Sequence, residues 1–388
     1  MTAVVRRHPV RVLWLACAVF LQAPWVGCAD DGQQQPTGAD LNNQGVQEAK
    51  RGDFERGASL LRQAVSLEPG DSRLRKNLSG VLTDWANQLS GRGQTQSCVG
   101  LLEEALTYDP DNGKALVLLG DVSYTTLNDL ERALASWKRA YGKVPADQWN
   151  RIHQRISQTE RDLLIERNFT GHRAGHFQIR FENSPGGEMV SMLRGILEQQ
   201  YARLSDALDV SVENFPVIVY GDSSFKRVVG RKDWALGLYD GRIRLRLEDV
   251  RSDHVSSVVA HELAHAVLAK AYGPRIPTWV HEGFAQAQEP HRLLTPREEE
   301  MVKAIARGNA WIPLKWLDQR FEQPSDWNDL TRVYLQARFV VEFLIRKEGI
   351  SRFRAFLKRL SGGESAGQAF DQSFVSLRWS KVDQGVLE

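Results

Sequence analysis

The chain has 388 residues, 42% of them hydrophobic and 25% charged, with 50 Lys plus Arg against 48 Asp plus Glu and a formal net charge of +2. That length asks for two or three domains, and the composition excludes disordered, collagen-like and polytopic membrane chains. Near-zero net charge gives no bulk electrostatic reason to expect nucleic-acid binding, and three cysteines are too few for a disulfide-stapled scaffold.

The N-terminus reads as an export signal. Arg6, Arg7 and Arg11 form a basic region ahead of the apolar run from Val12 to Leu21. That run is well short of the ~20 residues a helix needs to span a bilayer, and small residues around Gly27-Cys28-Ala29 offer a cleavage site. The segment Trp25-Val26-Gly27-Cys28 resembles a bacterial lipobox, although Trp25 stands where Leu is usual. The resemblance implies lipidation of Cys28 and a periplasmic, membrane-anchored lipoprotein; an ordinary secretory signal cut nearby is the alternative. On this reading residues 1–27 are the signal and 28–39 a linker. Losing 1–27 removes three Arg and no acid, which leaves 47 basic and 48 acidic residues and a net charge of −1. Cys17 departs with the signal and Cys28 is acylated, so Cys98 remains alone and no internal disulfide can form.

Residues 40–145 carry an internal repeat. Gly57, Ala64 and Pro69 are spaced by seven and five residues, and Cys98, Ala105, Pro110 and Ala133, Ala140, Pro145 repeat those gaps. A large apolar residue, Leu61, Leu102 or Trp137, follows the first small one by four positions each time. Small residues let paired helices approach, large ones fill the groove, and Pro stops the second helix. The pattern resembles tetratricopeptide (TPR) repeats. The proline intervals of 41 and 35 place an insertion in the middle repeat, around Ser90-Gly91-Arg92-Gly93. The resemblance implies a protein partner on the array, or packing of the array against a neighbouring domain. A helix from Trp149 to Glu166, within a 146–168 connecting segment, should cap it.

Residues 169–388 begin with strands and helices in alternation. His176–Phe181 has period two, Met189–Leu208 has helical spacing, and Pro216–Tyr220 is a short apolar strand. After the Asp240-Gly241 turn, Arg242-Ile243-Arg244-Leu245-Arg246-Leu247 alternates without a break. Its Ile and Leu are expected in the core and its arginines toward solvent or a cleft, as on an edge strand guarded against aggregation or as a row facing acidic peptides.

The strongest motif is His261-Glu262-Leu263-Ala264-His265 inside a helix expected over 252–272. Two His four residues apart lie on one helix face and suit two ligands of a tetrahedral Zn2+, with Glu262 beside them to accept a proton. A second helix is expected from Pro277, and its Glu282 could complete a His2Glu site across the 16 intervening residues. HELAH followed by Pro277-x-Trp279-x-x-Glu282-Gly283-x-Ala285 resembles the gluzincin metallopeptidases, in particular the peptidase-MA-like domains often attached to TPR repeats. The resemblance covers roughly residues 170–370. It implies zinc held by His261, His265 and Glu282, Glu262 as general base, and a peptide or protein substrate.

His281, next to Glu282 on the same helix, should point about 100° away from it. Similar gluzincins carry a Tyr near the metal on a later helix, and Tyr334 in Arg332-Val333-Tyr334-Leu335 is the matching candidate for stabilising an oxyanion. Trp311–Leu314 and Phe339–Leu344 read as core segments, while Ala366–Leu377 has helical character too weak to assign. The expected fold is thus α, TPR-like helical repeats, followed by an α+β zincin-like domain over 169–388. The expected function is a cell-envelope zinc metallopeptidase. The alternative is a non-catalytic TPR scaffold or binding protein with a metallopeptidase-like zinc domain. An aminopeptidase ranks lower, because no Gly-rich, Glu-containing segment precedes the HELAH helix to hold a free amine.

Overall fold

The computed structural model describes residues 35–229, 237–290, 298, 302, 305 and 310–386; the signal segment and Cys28 lie outside the described residues. The N-terminal helices α1 (Gly38–Lys50), α2 (Phe54–Leu67), α3 (Ser72–Gly91), α4 (Thr95–Tyr108), α5 (Gly113–Val122) and α6 (Leu130–Ala140) pack as successive pairs. Short polar residues stop and start them. Asp53, Asn112 and Asp129 each accept a backbone N–H in the first turn of α2, α5 and α6, which supplies one orphan helix donor with a partner. The repeated residues Leu61, Leu102 and Trp137, with Cys98, Ala105, Ala133 and Ala140, are at most 1% exposed. The longer proline interval is taken up in α3, which runs to 20 residues against 13 for α1 and 10 for α5. A π-helical turn, Ser123–Leu127, closes on the left-handed Asn128 before α6.

Helix α7 (Trp149–Glu166) leads into a five-stranded sheet. Its strands are β1 (Thr170–Ala174), β2 (Phe177–Phe181), β3 (Phe215–Tyr220), β4 (Gly237–Tyr239) and β5 (Ile243–Arg246), in the order β1-β2-β3-β5-β4. The pairs β2–β3 and β3–β5 are parallel, while β1 and β4 are antiparallel additions at either side. All six residues of β3 are buried, as expected for a strand covered on both faces. Val217 and Val219 join one core cluster with α8 (Gly187–Leu208) and the metal-motif helix, whereas Ile218 and Tyr220 join another with Ile165, Phe169 and α9 (Asp222–Val229).

The alternation of β5 sorts its apolar residues as expected, since Ile243 and Leu245 lie in the core. Its arginines depart from expectation. β5 is interior, between β3 and β4, and Arg242 and Arg244 are fully buried, facing neither solvent nor a substrate cleft. The reason is α7, which brings the equally buried Asp162 and Glu166 onto that face of the sheet. Arg242 donates to both Glu166 carboxylate oxygens, and Arg244 donates to Asp162 and to the hydroxyls of Tyr124 and Tyr220. Only Arg246 keeps partial exposure, paired with Asp249. Thr37–Glu388 forms one compact unit, and this ionic layer is one of the contacts within it.

The remaining chain is helical: α10 (Leu247–Val250), α11 (Val255–Tyr272), α12 (Thr278–Gln288), α13 (Leu314–Glu322), α14 (Trp327–Glu348), α15 (Ile350–Ser361), α16 (Ala366–Ser373) and α17 (Trp379–Val382). Of the segment Ala366–Leu377, whose helical character is too weak to assign from sequence, Ala366–Ser373 forms α16, and Ser365 with Gln368 builds a capping box at its start. Trp311, Ile312, Leu314, Phe339 and Leu344 are all buried in the large core, as their sequence suggests. No described helix is long and apolar enough to cross a membrane.

Candidate metal centre

Helix α11 is buried nearly all round, with Val258, Val259, Leu263, Ala264, Val267 and Leu268 in the core, which is the pattern of a helix threaded through a protein interior. That immobilises the two histidines it carries. His261 and His265 are one turn apart and their Nε2 atoms lie 3.2 Å from each other. Glu282 on α12 reaches the same point: its Oε2 is 3.7 Å from His261 Nε2 and 3.5 Å from His265 Nε2. The three donor atoms lie within 4.8 Å of one another, the one such group among the described residues.

The position of α12 is fixed from three sides. Pro277 precedes its first turn, and Asp318 on α13 accepts the Trp279 backbone N–H at 2.9 Å, capping the exposed helix donors. Gly283 is required where α12 crosses α14, because a Cβ there would stand 2.4 Å from the Ala337 carbonyl oxygen. Gln286 Nε2 then donates to the Tyr334 carbonyl at 3.2 Å. Glycine directly after Glu282 therefore lets α12 press onto α14 while the carboxylate points to the histidines.

The group fits a metal on chemical grounds. Glu282 Oε2 is buried and has no hydrogen-bond partner, a costly state for a carboxylate oxygen, and it faces two imidazole nitrogens. Burial alone would raise the Glu282 pKa, but the positive charge of the facing histidines, His265 first, holds it well below the usual carboxylate range. Burial lowers the His261 pKa, yet the facing carboxylates of Glu282 and Glu289 outweigh this and raise it to about 10. The pocket is thus built to hold positive charge, and two imidazoles with one carboxylate are a donor set that could hold a metal ion.

Glu262 is buried beside this group, and burial raises its pKa against the opposing pull of His261 and His265. Strand β4 presses on it: a Cβ at Gly237 would come within 2.7 Å of Glu262 Cγ. Tyr334 lies on α14, half-buried and edge-on to Phe321 at 5.0 Å. Its hydroxyl pKa is raised by burial first, then by the charges of Glu282 and Glu262. His281 is outside the donor group; its ring lies 5.7 Å from that of His265, and burial pushes its pKa down to about 4.

Two contributors escaped sequence reasoning. Glu289 Oε1 lies 2.9 Å from His261 Nδ1, so it can fix the tautomer that turns Nε2 toward the donor group. The signal was present, since Glu289 follows Glu282 by seven residues, two helical turns on one face. Gly237 had no local signal, because its role depends on the pairing of β4 with β5. Comparison with known proteins gives no matching family model and no matching curated protein.

Proposed function

We propose that this chain is a zinc metallopeptidase of the cell envelope that hydrolyses peptide bonds in a peptide or protein substrate. The observation that carries the reading is the convergence of His261, His265 and the unpartnered Glu282 Oε2 next to a buried Glu262. Bound at these three residues, Zn2+ would polarise a water and the scissile carbonyl and bring the pKa of that water toward ~7. Glu262 takes the proton the water loses on attack and passes it to the departing amine nitrogen. Its elevated pKa suits a group that must hold a proton between the two events. Tyr334, kept protonated by the same burial and negative surroundings, is the candidate donor to the oxyanion. One of the two edge strands among the described residues, β4, lies against Glu262, and its backbone would suit pairing with an extended peptide.

The helical pairs of residues 40–145 are read as TPR-like repeats that bind a protein partner or pack on the 169–388 zincin-like domain. Export and lipid anchoring at Cys28 belong to the same proposal and rest on the sequence of residues 1–40. The second reading, a non-catalytic zinc-binding scaffold, is favoured by none of the site's features: a structural zinc normally has four protein ligands, and this donor group has three.

Metal analysis of the purified wild type and of His265→Ala, with peptide cleavage by wild type and Glu262→Gln, tests the reading. About one zinc per wild-type chain is expected, lost in His265→Ala. Cleavage should drop by 10²–10⁴-fold in Glu262→Gln while its zinc remains. Zinc with no hydrolysis of any peptide would select the scaffold instead, and no zinc in either protein would sink both.

A further inference from the structure

A cavity of about 310 Å3 opens where the helical pairs meet the sheet, walled by α5, α6, α7 and the turn between β4 and β5. Nothing in the peptidase chemistry uses it. Its charges are unbalanced in a specific way. Both acids on its wall are already satisfied: Asp121 pairs with Arg155 and accepts from Trp137 Nε1, and Asp240 pairs with the buried Arg244 at 3.0 Å. Of the three cations, Arg155 is taken by Asp121 and the other two have no carboxylate partner among the described residues. Arg151 has no ion pair or side-chain hydrogen bond among the described residues, and Arg161 is held only by Gln158 Oε1 at 2.6 Å. Gln158 is in turn anchored to Asp162 of the buried ionic layer, so the Arg161 guanidinium is positioned rather than loose.

These side chains form a design rather than a scatter. Arg151, Gln154, Arg155, Gln158 and Arg161 recur at three- and four-residue intervals and so share one face of α7. The buried Asp162 and Glu166 continue the same face toward the C-terminal end of the helix, where Arg242 and Arg244 pair with them. The floor is aromatic: Trp137 and Tyr124 lie 5.5 Å apart, and the Arg155 guanidinium lies over the Trp137 ring at 5.3 Å. Both rings are buried, Trp137 beneath Arg155, so what the cavity presents to a ligand is the two exposed guanidinium groups of Arg151 and Arg161, which suit a carboxylate.

We propose that this cavity is an exosite for a Glu- or Asp-rich segment of the polypeptide substrate. Strand β4 joins it to the metal centre. Asp240 on the cavity wall is three residues from Gly237 beside Glu262, about 10 Å at ~3.4 Å per residue. A substrate with acidic residues several positions from the scissile bond therefore reaches both sites. The substrate role rests on the peptidase reading above; occupancy of the cavity by an acidic peptide does not.

Binding is measured by calorimetry on full-length Glu262→Gln, so that no probe is consumed. The probes are a peptide with four Glu in a Gly/Ser background, the same peptide with four Gln, and inorganic phosphate. The Glu peptide should bind and the Gln peptide should not. Arg151→Glu with Arg161→Glu should weaken binding at least tenfold, while Arg167→Glu, an exposed change just past α7, should leave it within twofold. No binding of the Glu peptide, an equal loss with Arg167→Glu, or phosphate binding as tight as the peptide overturns the exosite. With Glu262 intact, the double variant should raise KM for a Glu-extended reporter and leave kcat and the neutral reporter unchanged. Unchanged KM removes the substrate role, whereas a wild type that cleaves no reporter refutes the peptidase reading and leaves the binding result standing.

Discussion

Arg244 and Asp162, 82 residues apart in the chain, meet in a fully buried ion pair with Nη2 2.7 Å from Oδ2. The pair belongs to a layer with Arg242, Glu166, Tyr124 and Tyr220 that ties α7 to the sheet. Removing one partner strands an uncompensated charge in the interior, at a cost of about 3–5 kcal/mol. Asp162→Ala should therefore lower the urea midpoint strongly. Arg246→Ala, which breaks a partly exposed pair with Asp249, should cost about 1 kcal/mol or less. Equal losses in the two variants would mean that the buried layer is no keystone.

Glu289 should matter to metal affinity without contributing a ligand. Removing a carboxylate that orients a ligating histidine typically weakens metal binding by about 10–100-fold. Glu289→Gln should show that loss in a chelator competition for zinc, and His281→Ala, outside the donor group, should stay within a few-fold of wild type. The reverse ranking would reassign the ligand set.

Strand β4 leaves no room for a side chain next to Glu262. Gly237→Val should displace the Glu262 carboxylate, since a Cβ alone would lie 2.7 Å from its Cγ. Peptide cleavage should fall by tenfold or more through kcat, with zinc content unchanged. Wild-type kcat in this variant would show that the contact has no bearing on turnover.

Lys270 on α11 donates to Thr126 Oγ1 at 3.0 Å, and burial pulls its pKa from 10.5 down to about 7. Between those values the unfolded chain holds a proton that the folded one lacks, so stability rises with pH from about 7 to 10.5, and below pH 7 the penalty is complete. Lys270→Met should gain about 1–3 kcal/mol at pH 7, a gain that shrinks by pH 9.5. Urea denaturation at the two pH values checks this, and a pH-independent difference would contradict it.

Much of the site was legible because its chemistry is local. His261, Glu262 and His265 lie within one helical turn and a third, so spacing alone puts both imidazoles on a common face. The small and large residues of the repeats were legible for the same reason, since helix pairs a few residues apart pack through positions set by period 3.6. Even Glu282 needed only one further helix and a plausible turn between the two.

Strand register and the partner on each sheet face are a different matter. Alternation in Arg242–Leu247 correctly separated two faces but could not tell which was wet, because that depends on α7 arriving from 76 to 82 residues earlier with two carboxylates. Gly237 against Glu262, Glu289 behind His261 and the arginine-lined cavity likewise arise only when separate elements meet. The sequence by itself therefore determined the donor set and the helical periodicity, through covalent spacing. The tertiary structure alone decided what is buried against what, because burial and charge pairing are properties of surfaces brought together by folding.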